Sequence, residues 1–232
     1  MRIAFIAAGN GGTQPLNKPG RGSFDYYDRG VRTLSTKPSH EPVLFSFRRC
    51  PYAMRARMAL IVSDAAFRLV EVKLSAKPPE MIAASPKGTV PVLVLPSGHV
   101  IDQSIDIMRW ALTGNDPEGW LDGDDPALID ANDGPFKFHL DRYKYPNRHG
   151  SDPTEHRAAA LGFLVDLEHR LRQRPFLCGN ARKLTDAALM PFVRQFALTD
   201  PAWFDEQPLR QVQRWLGAQL SSPLFERVMA RD

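Results

Sequence analysis

Between Pro42 and Ile101, short apolar runs alternate with a single strong helical stretch, an order that few small folds accommodate. Val43 to Phe47 reads as a strand and Pro51 to Val62 as a helix. Arg68 to Lys73 reads as a second strand, with Leu69 and Val70 among its apolar members. Together they make a β-α-β unit. A short helical piece follows near Pro79 to Ala84. Pro91 to Leu95, a turn at Ser97-Gly98 and Val100-Ile101 then read as an antiparallel hairpin. A further helix begins near Ser104, with Ile105, Met108 and Leu112 on one face.

Past a linker rich in Gly, Asn, Asp and Pro at Thr113 to Pro126, every strong period is helical. Asp152-Pro153-Thr154-Glu155 is a capping-box type helix start with Pro at the first helical position. Ala160, Leu164, Leu167 and Leu171 follow it on one face. Leu189, Phe192, Val193 and Phe196 mark another amphipathic helix, and Val212, Trp215 and Leu216 a third. The predicted organisation is an extension over 1–40, an α/β domain over 41–113, a linker over 114–124 and an all-helical domain over 125–232. Residues 1–40 carry no sustained period. They read as a tail or an upstream start, with an organellar transit segment as the second reading.

Composition narrows the function. No apolar run reaches the ~18 residues that a membrane-spanning helix needs, so a membrane partner is not expected. The net charge of +4 lies wholly in residues 1–40, which hold six basic and two acidic groups; 24 of each sign remain in the rest. A nucleic-acid partner is therefore not implied. Two cysteines in unlike contexts, Cys50 and Cys178, argue against a disulfide framework and for a reducing, cytoplasmic setting. His139, His149, His156 and His169 fall at irregular spacings and make no zinc signature, so no metal is expected.

The chemistry points to Arg48-Arg49-Cys50-Pro51-Tyr52-Ala53, where the first strand hands over to the first helix. Pro51 suits the first helical position, which puts Cys50 at the N-cap. There the unpaired N–H groups and the positive end of the helix dipole favour a thiolate. With Arg48 and Arg49 nearby, the expected thiol pKa falls below the ordinary ~8.5. Ala53 stands where a dithiol motif would have its second cysteine, so a mixed disulfide at Cys50 needs an external thiol to resolve it, and glutathione is the abundant one. The competing reading is an inert core cysteine.

Cys-Pro-Tyr-Ala after a strand, Thr89-Val90-Pro91-Val92-Leu93 in mid-domain and Asp102-Gln103-Ser104 before a helix resemble the N-terminal domain of glutathione transferases. The resemblance is closest to omega-like, cysteine-type bacterial members and runs over 41–227. It implies a thioredoxin-like α/β domain followed by an all-α bundle, glutathione as co-substrate with no covalent cofactor, and a homodimer. By the same resemblance Pro91 is a cis proline and the backbone of Val90 pairs with glutathione. Gln103 and Ser104 receive the γ-glutamyl end, Lys77 stands beside the glycyl carboxylate, and Tyr52 packs next to Cys50. Gln103 departs from the glutamate usual there. Lys183 departs from the usual capping hydroxyl, so Thr185 or Asp186 must cap alone. Cys178 reads as a core residue. Phe136, Phe138, Tyr143 and Tyr145 read either as the wall of an apolar substrate pocket or as core.

The expected reaction is thiol transfer at Cys50 with a small electrophilic or disulfide substrate, of the dehydroascorbate-reductase or deglutathionylating kind. The alternative is a non-catalytic interaction or regulatory module. A glutaredoxin-like donor is disfavoured by the helical half.

Overall fold

The computed structural model describes residues 41–230, so the reading of residues 1–40 lies outside it. Four strands form one sheet in the order β2-β1-β3-β4: β1 (Val43–Ser46), β2 (Arg68–Glu71), β3 (Val92–Val94) and β4 (Val100–Ile101). Helix α1 (Pro51–Val62) carries the chain from β1 to its parallel neighbour β2, and α2 (Pro79–Ala84) precedes β3. β3 runs antiparallel to both β1 and β4, with Leu93 opposite Ile101 in the hairpin. Helix α3 (Ser104–Gly114) closes this half.

The strands stop where donors are lost or diverted. β1 ends before Phe47, whose carbonyl accepts from the Cys50 amide at 2.9 Å in a tight turn. β3 starts after Pro91, which has no N–H to offer a ladder. The predicted strands ran one residue too far at each of these places.

The rest is helical: α4 (Pro126–Ala131), α5 (Lys137–Lys144), α6 (Pro146–His149), α7 (Pro153–Gln173), α8 (Leu184–Ala197), α9 (Pro201–Glu206), α10 (Arg210–Leu220) and α11 (Pro223–Met229). No helix among the described residues is long and apolar enough to cross a membrane. Pro51, Pro79, Pro126, Pro146, Pro153, Pro201 and Pro223 each open a helix, where φ is already set and no N–H partner is missed. Asp125, Asp152, Asp200 and Ser222 accept from helix-start amides. At α8, Asp186 accepts from the Lys183 amide at 3.0 Å, and lysine has no side-chain acceptor to return the bond. Thr185 instead donates to the Gly123 carbonyl at 2.7 Å. Asp186 also takes the Trp215 indole N–H and the Leu177 amide, each at 2.8 Å.

Ala160, Leu164, Leu167, Leu171, Leu189, Phe192, Val193, Phe196, Val212, Trp215 and Leu216 are all buried, as their helical spacing predicts. Helix α1 is covered all round: Ala53 faces a small cluster with Val43, Phe45 and Val92, whereas Met54, Met58 and Leu60 join the main core with residues of α7 and α8.

The stretch read as a linker is packed rather than loose. Trp120 is fully buried at the start of a 3-10 turn, Trp120–Gly123, whose first amides are held by the Asp116 carboxylate at 2.7 and 2.9 Å. A Cβ on Gly123 would stand 2.4 Å from the Lys183 Cβ and 2.8 Å from the Cys178 Cβ. Gly123→Ala is therefore expected to destabilise by about 1–3 kcal/mol, the usual penalty of overpacking. Thermal melts should show a midpoint several degrees lower, while Gly134→Ala, with nothing within 4 Å, leaves it unchanged. Equal melting of the two variants refutes this packing.

Candidate active site

Cys50 is the N-cap of α1, with φ −74° and ψ 123°, and Pro51 is the first helical residue. The Val90–Pro91 peptide is cis, as the resemblance implied. The Cys50 thiol points at this segment and donates to the Val90 carbonyl, with sulfur and oxygen 3.7 Å apart. Beside the sulfur lies a cavity of about 550 Å³, within the range of small-molecule sites. Its wall on the sheet side includes Phe47, Pro51 and Tyr52, and on the helical side Lys137, Asp141 and Tyr145.

The thiol pKa differs from the expectation. It is raised above the ordinary value because burial dominates, and the Ala53 and Tyr52 amides, Arg57 and Lys137 only partly offset it. Cys50 is only partly covered, yet enough protein surrounds the sulfur that a charge there loses more hydration than the helix start returns. The cations that lower it most are Arg57, from two turns further along α1, and Lys137, from the helical half, ahead of the adjacent Arg48 and Arg49.

Tyr52 packs edge-on against Phe192 with centroids 4.8 Å apart, under the Arg55 guanidinium at 5.0 Å. Burial, and then the nearby Asp133, push its phenol up to about 12, so it stays neutral at physiological pH. Ser104 is buried and sits at the first turn of α3; the N-cap is Gln103, exposed and with no side-chain capping bond. The Ser104 hydroxyl instead accepts from Arg55 Nε at 3.0 Å. Lys77 is exposed, and its Nζ lies against Gly88. The structure thus brings Cys50 and Tyr52 into one cavity with Val90 at the sulfur. Lys77, Gln103 and Ser104 are not part of the cavity lining.

Of the four aromatic residues considered for a pocket wall, Phe136 and Tyr143 are core and Phe138 is exposed; Tyr145 alone of the four lines the cavity. Cys178 is half-buried against the main core. The Nδ1 atoms of His139 and His156 are hydrogen-bonded at 2.8 Å, outside the cavity.

Sequence reasoning missed Arg55. Only 2 % exposed, it forks onto both oxygens of Asp133 at 2.8 and 2.6 Å while holding Ser104, and so ties α1 to α3 and to the helical half. Asp133 lies in a π-helical turn, Asn132–Phe136, that joins α4 to α5 and contains Pro135. The signal was present: two arginines, Arg55 and Arg57, inside an otherwise apolar helix need partners if that helix is buried. Asp102 is also engaged, with Lys87 at 2.8 Å and Ser85 at 2.7 Å. The Lys87 bond, then Ser85, hold its carboxyl below the usual range.

Comparison with known proteins bears on both halves. Residues 44–118 match the family described as glutathione S-transferase, N-terminal domain, and residues 148–218 match glutathione S-transferase, C-terminal domain. A "Probable glutathione transferase" of Aplysia californica is 40% identical over 58 residues, 25% of this chain and 63% of that protein. "Glutathione S-transferase omega-1" of Rattus norvegicus is 33% identical over 89 residues, 38% of this chain and 36% of that one. The matches thus span less than two thirds of either relative. The solved glutathione transferase Omega 3C of Trametes versicolor superposes with a TM-score of 0.68 at 20% identity, over 83% of this chain and 90% of that one, a likeness of fold. With the N-terminal and C-terminal matches in the family's order on the small mixed sheet and the helical region that follows, this chain belongs to the glutathione S-transferase family.

Proposed function

We propose that this protein is a glutathione-dependent thiol transferase of the omega-like type, with Cys50 as its nucleophile. The observation that carries the reading is the position of the sulfur. It stands at the front of α1, 3.7 Å from the carbonyl that precedes cis-Pro91, and opens on the cavity. In the proposed complex glutathione extends along this segment, pairing with the Val90 backbone. Its γ-glutamyl end lies at the start of α3 with Gln103 and Ser104, and its glycyl end towards Lys77. Relatives bearing the omega name support this subtype. Homodimerisation and a cytoplasmic setting belong to the same proposal, on family grounds.

The proposed reaction has two exchanges. The Cys50 thiolate attacks the glutathionyl sulfur of a mixed disulfide, the S–S bond breaks, and the other thiol leaves as its thiolate. A second glutathione, as thiolate, then attacks the Cys50–glutathione disulfide, releasing oxidised glutathione and regenerating Cys50. Dehydroascorbate-like acceptors would draw on the same cycle, each taking two electrons and two protons from two glutathiones.

The raised thiol pKa is also what a non-catalytic glutathione-binding module would show, and it makes pH the discriminating variable. Only the thiolate attacks, so lowering pH below the Cys50 pKa cuts the rate about tenfold per unit. Disulfide-exchange rates and iodoacetamide labelling of Cys50, followed by intact mass, should climb together and level off above the ordinary ~8.5. Dehydroascorbate and an aryl chloride complete the panel. Retention on immobilised glutathione without turnover, or exchange that stays flat while labelling climbs, refutes the assignment.

A further inference from the structure

A second hollow of about 430 Å³ lies next to the cavity beside Cys50. Four cations line that hollow, Arg48, Arg49, Lys144 and Arg194, over Leu198 and Met229. Arg49, Lys144 and Gln195 line both spaces, so this cationic groove adjoins the cavity at the sulfur.

Among the described residues none of the four is in an ion pair, and no acid lines the hollow. Three of the four lie over rings: Arg49 over Phe47 at 5.7 Å, Lys144 over Tyr145 at 5.1 Å and Arg194 over Phe225 at 5.6 Å. The Glu71 carboxylate accepts from the Arg48 backbone amide, and Asp141 in the adjoining cavity is taken up by Lys137. Burial pushes the Arg194 guanidinium down from its ordinary value, as happens to a cation desolvated without a counter-ion. All this occurs in a chain whose residues 41–232 carry 24 charges of each sign. A concave cluster of unopposed positive charge in a neutral body concentrates anions.

Glutathione does not account for this second hollow, because none of Cys50, Tyr52, Lys77, Val90, Pro91, Gln103 and Ser104 lines it. We infer that the groove holds an anionic group of the second substrate, a carboxylate, phosphate or sulfonate displayed a few bonds from the sulfur that Cys50 displaces. This rests on the thiol-transfer reading above and narrows its substrate to thiols with acidic tails. Cys50 takes the glutathionyl sulfur, the S–S bond breaks, and the acidic thiol leaves as its thiolate along the cationic wall.

The test compares kcat/KM for three mixed disulfides of glutathione, with 3-mercaptopropionate, 2-mercaptoethanol and cysteamine. The anionic adduct should exceed the neutral one about fivefold to tenfold, with the cationic one slowest, and the preference should shrink in high salt. Arg48→Gln and Arg194→Gln, singly and together, should erase the preference while the mercaptoethanol adduct turns over within about twofold of wild type. Equal rates for the three adducts in wild type, or a preference that survives both substitutions, overturn the inference. Calorimetry with 4-sulfobenzoate separates this idea from the reaction. Binding by wild type that the double variant loses supports the groove even if no disulfide is turned over, and no binding at about 10 mM overturns it.

Discussion

Cys50→Ala is expected to lower turnover of a glutathionyl mixed disulfide by at least about 10³-fold, because the first covalent step has no other sulfur to use. Cys178 cannot substitute: it lies against the main core, with its own thiol pushed up by burial. The variant should fold normally, since the Cys50 side chain makes no capping bond to α1 and its removal leaves the N-cap backbone as it is. Thermal midpoints of the two proteins should agree within a few degrees. Retention on immobilised glutathione should persist, because Val90 and the start of α3 are untouched. Steady-state rates within tenfold of wild type would remove Cys50 from the chemistry and with it the proposed mechanism.

The second large effect is expected at Arg55. Arg55→Ala takes away both bonds to Asp133 and the bond to Ser104. Breaking one side of a buried pair typically costs about 3–5 kcal/mol, because the remaining charge is left without compensation. Asp133 retains 28 % side-chain exposure, so water recovers part of this and about 3 kcal/mol is the better figure. For a chain of this size that corresponds to a midpoint lower by about 6–12 °C in calorimetry. Arg55→Lys should not rescue it, since an ammonium cannot span both carboxylate oxygens and reach Ser104 at once. A double-mutant cycle with Asp133→Ala isolates the pair. A loss below about 1 kcal/mol in Arg55→Ala would show that packing around α1, rather than this guanidinium, joins the two halves.

Local signals were the legible ones. Proline at helix starts placed α1 at Pro51–Val62 and the beginning of α7, and helical spacing picked out the buried faces of α7, α8 and α10. The hairpin followed from Ser97-Gly98 between apolar runs. At the site, the N-cap position of Cys50 and the cis peptide before Pro91 could be anticipated from three short motifs in order.

What stayed hidden depends on contacts between distant residues. Gly134-Pro135 lies inside the π-helical turn that carries α4 into α5, a feature no local period announces. The turn aims Asp133 at Arg55, so neither partner announces the other. Trp120 lies in the stretch read as a linker, and only the fold reveals that its indole fills the core and donates to Glu118 at 2.8 Å. The thiol shift reversed for the same reason. Adjacent Arg48 and Arg49 were visible in the sequence, whereas the burial that outweighs the helix start is a property of the assembled cavity.

Helix α1 has no outer side, and that limits how this fold can be divided. Cutting the chain after α3 would strip the cover from Met54, Met58 and Leu60 and leave Arg55 facing emptiness in place of a carboxylate. Such a piece would be sticky rather than free-standing. Exchange of either half for a relative's then demands that the residues meeting α1 travel with it.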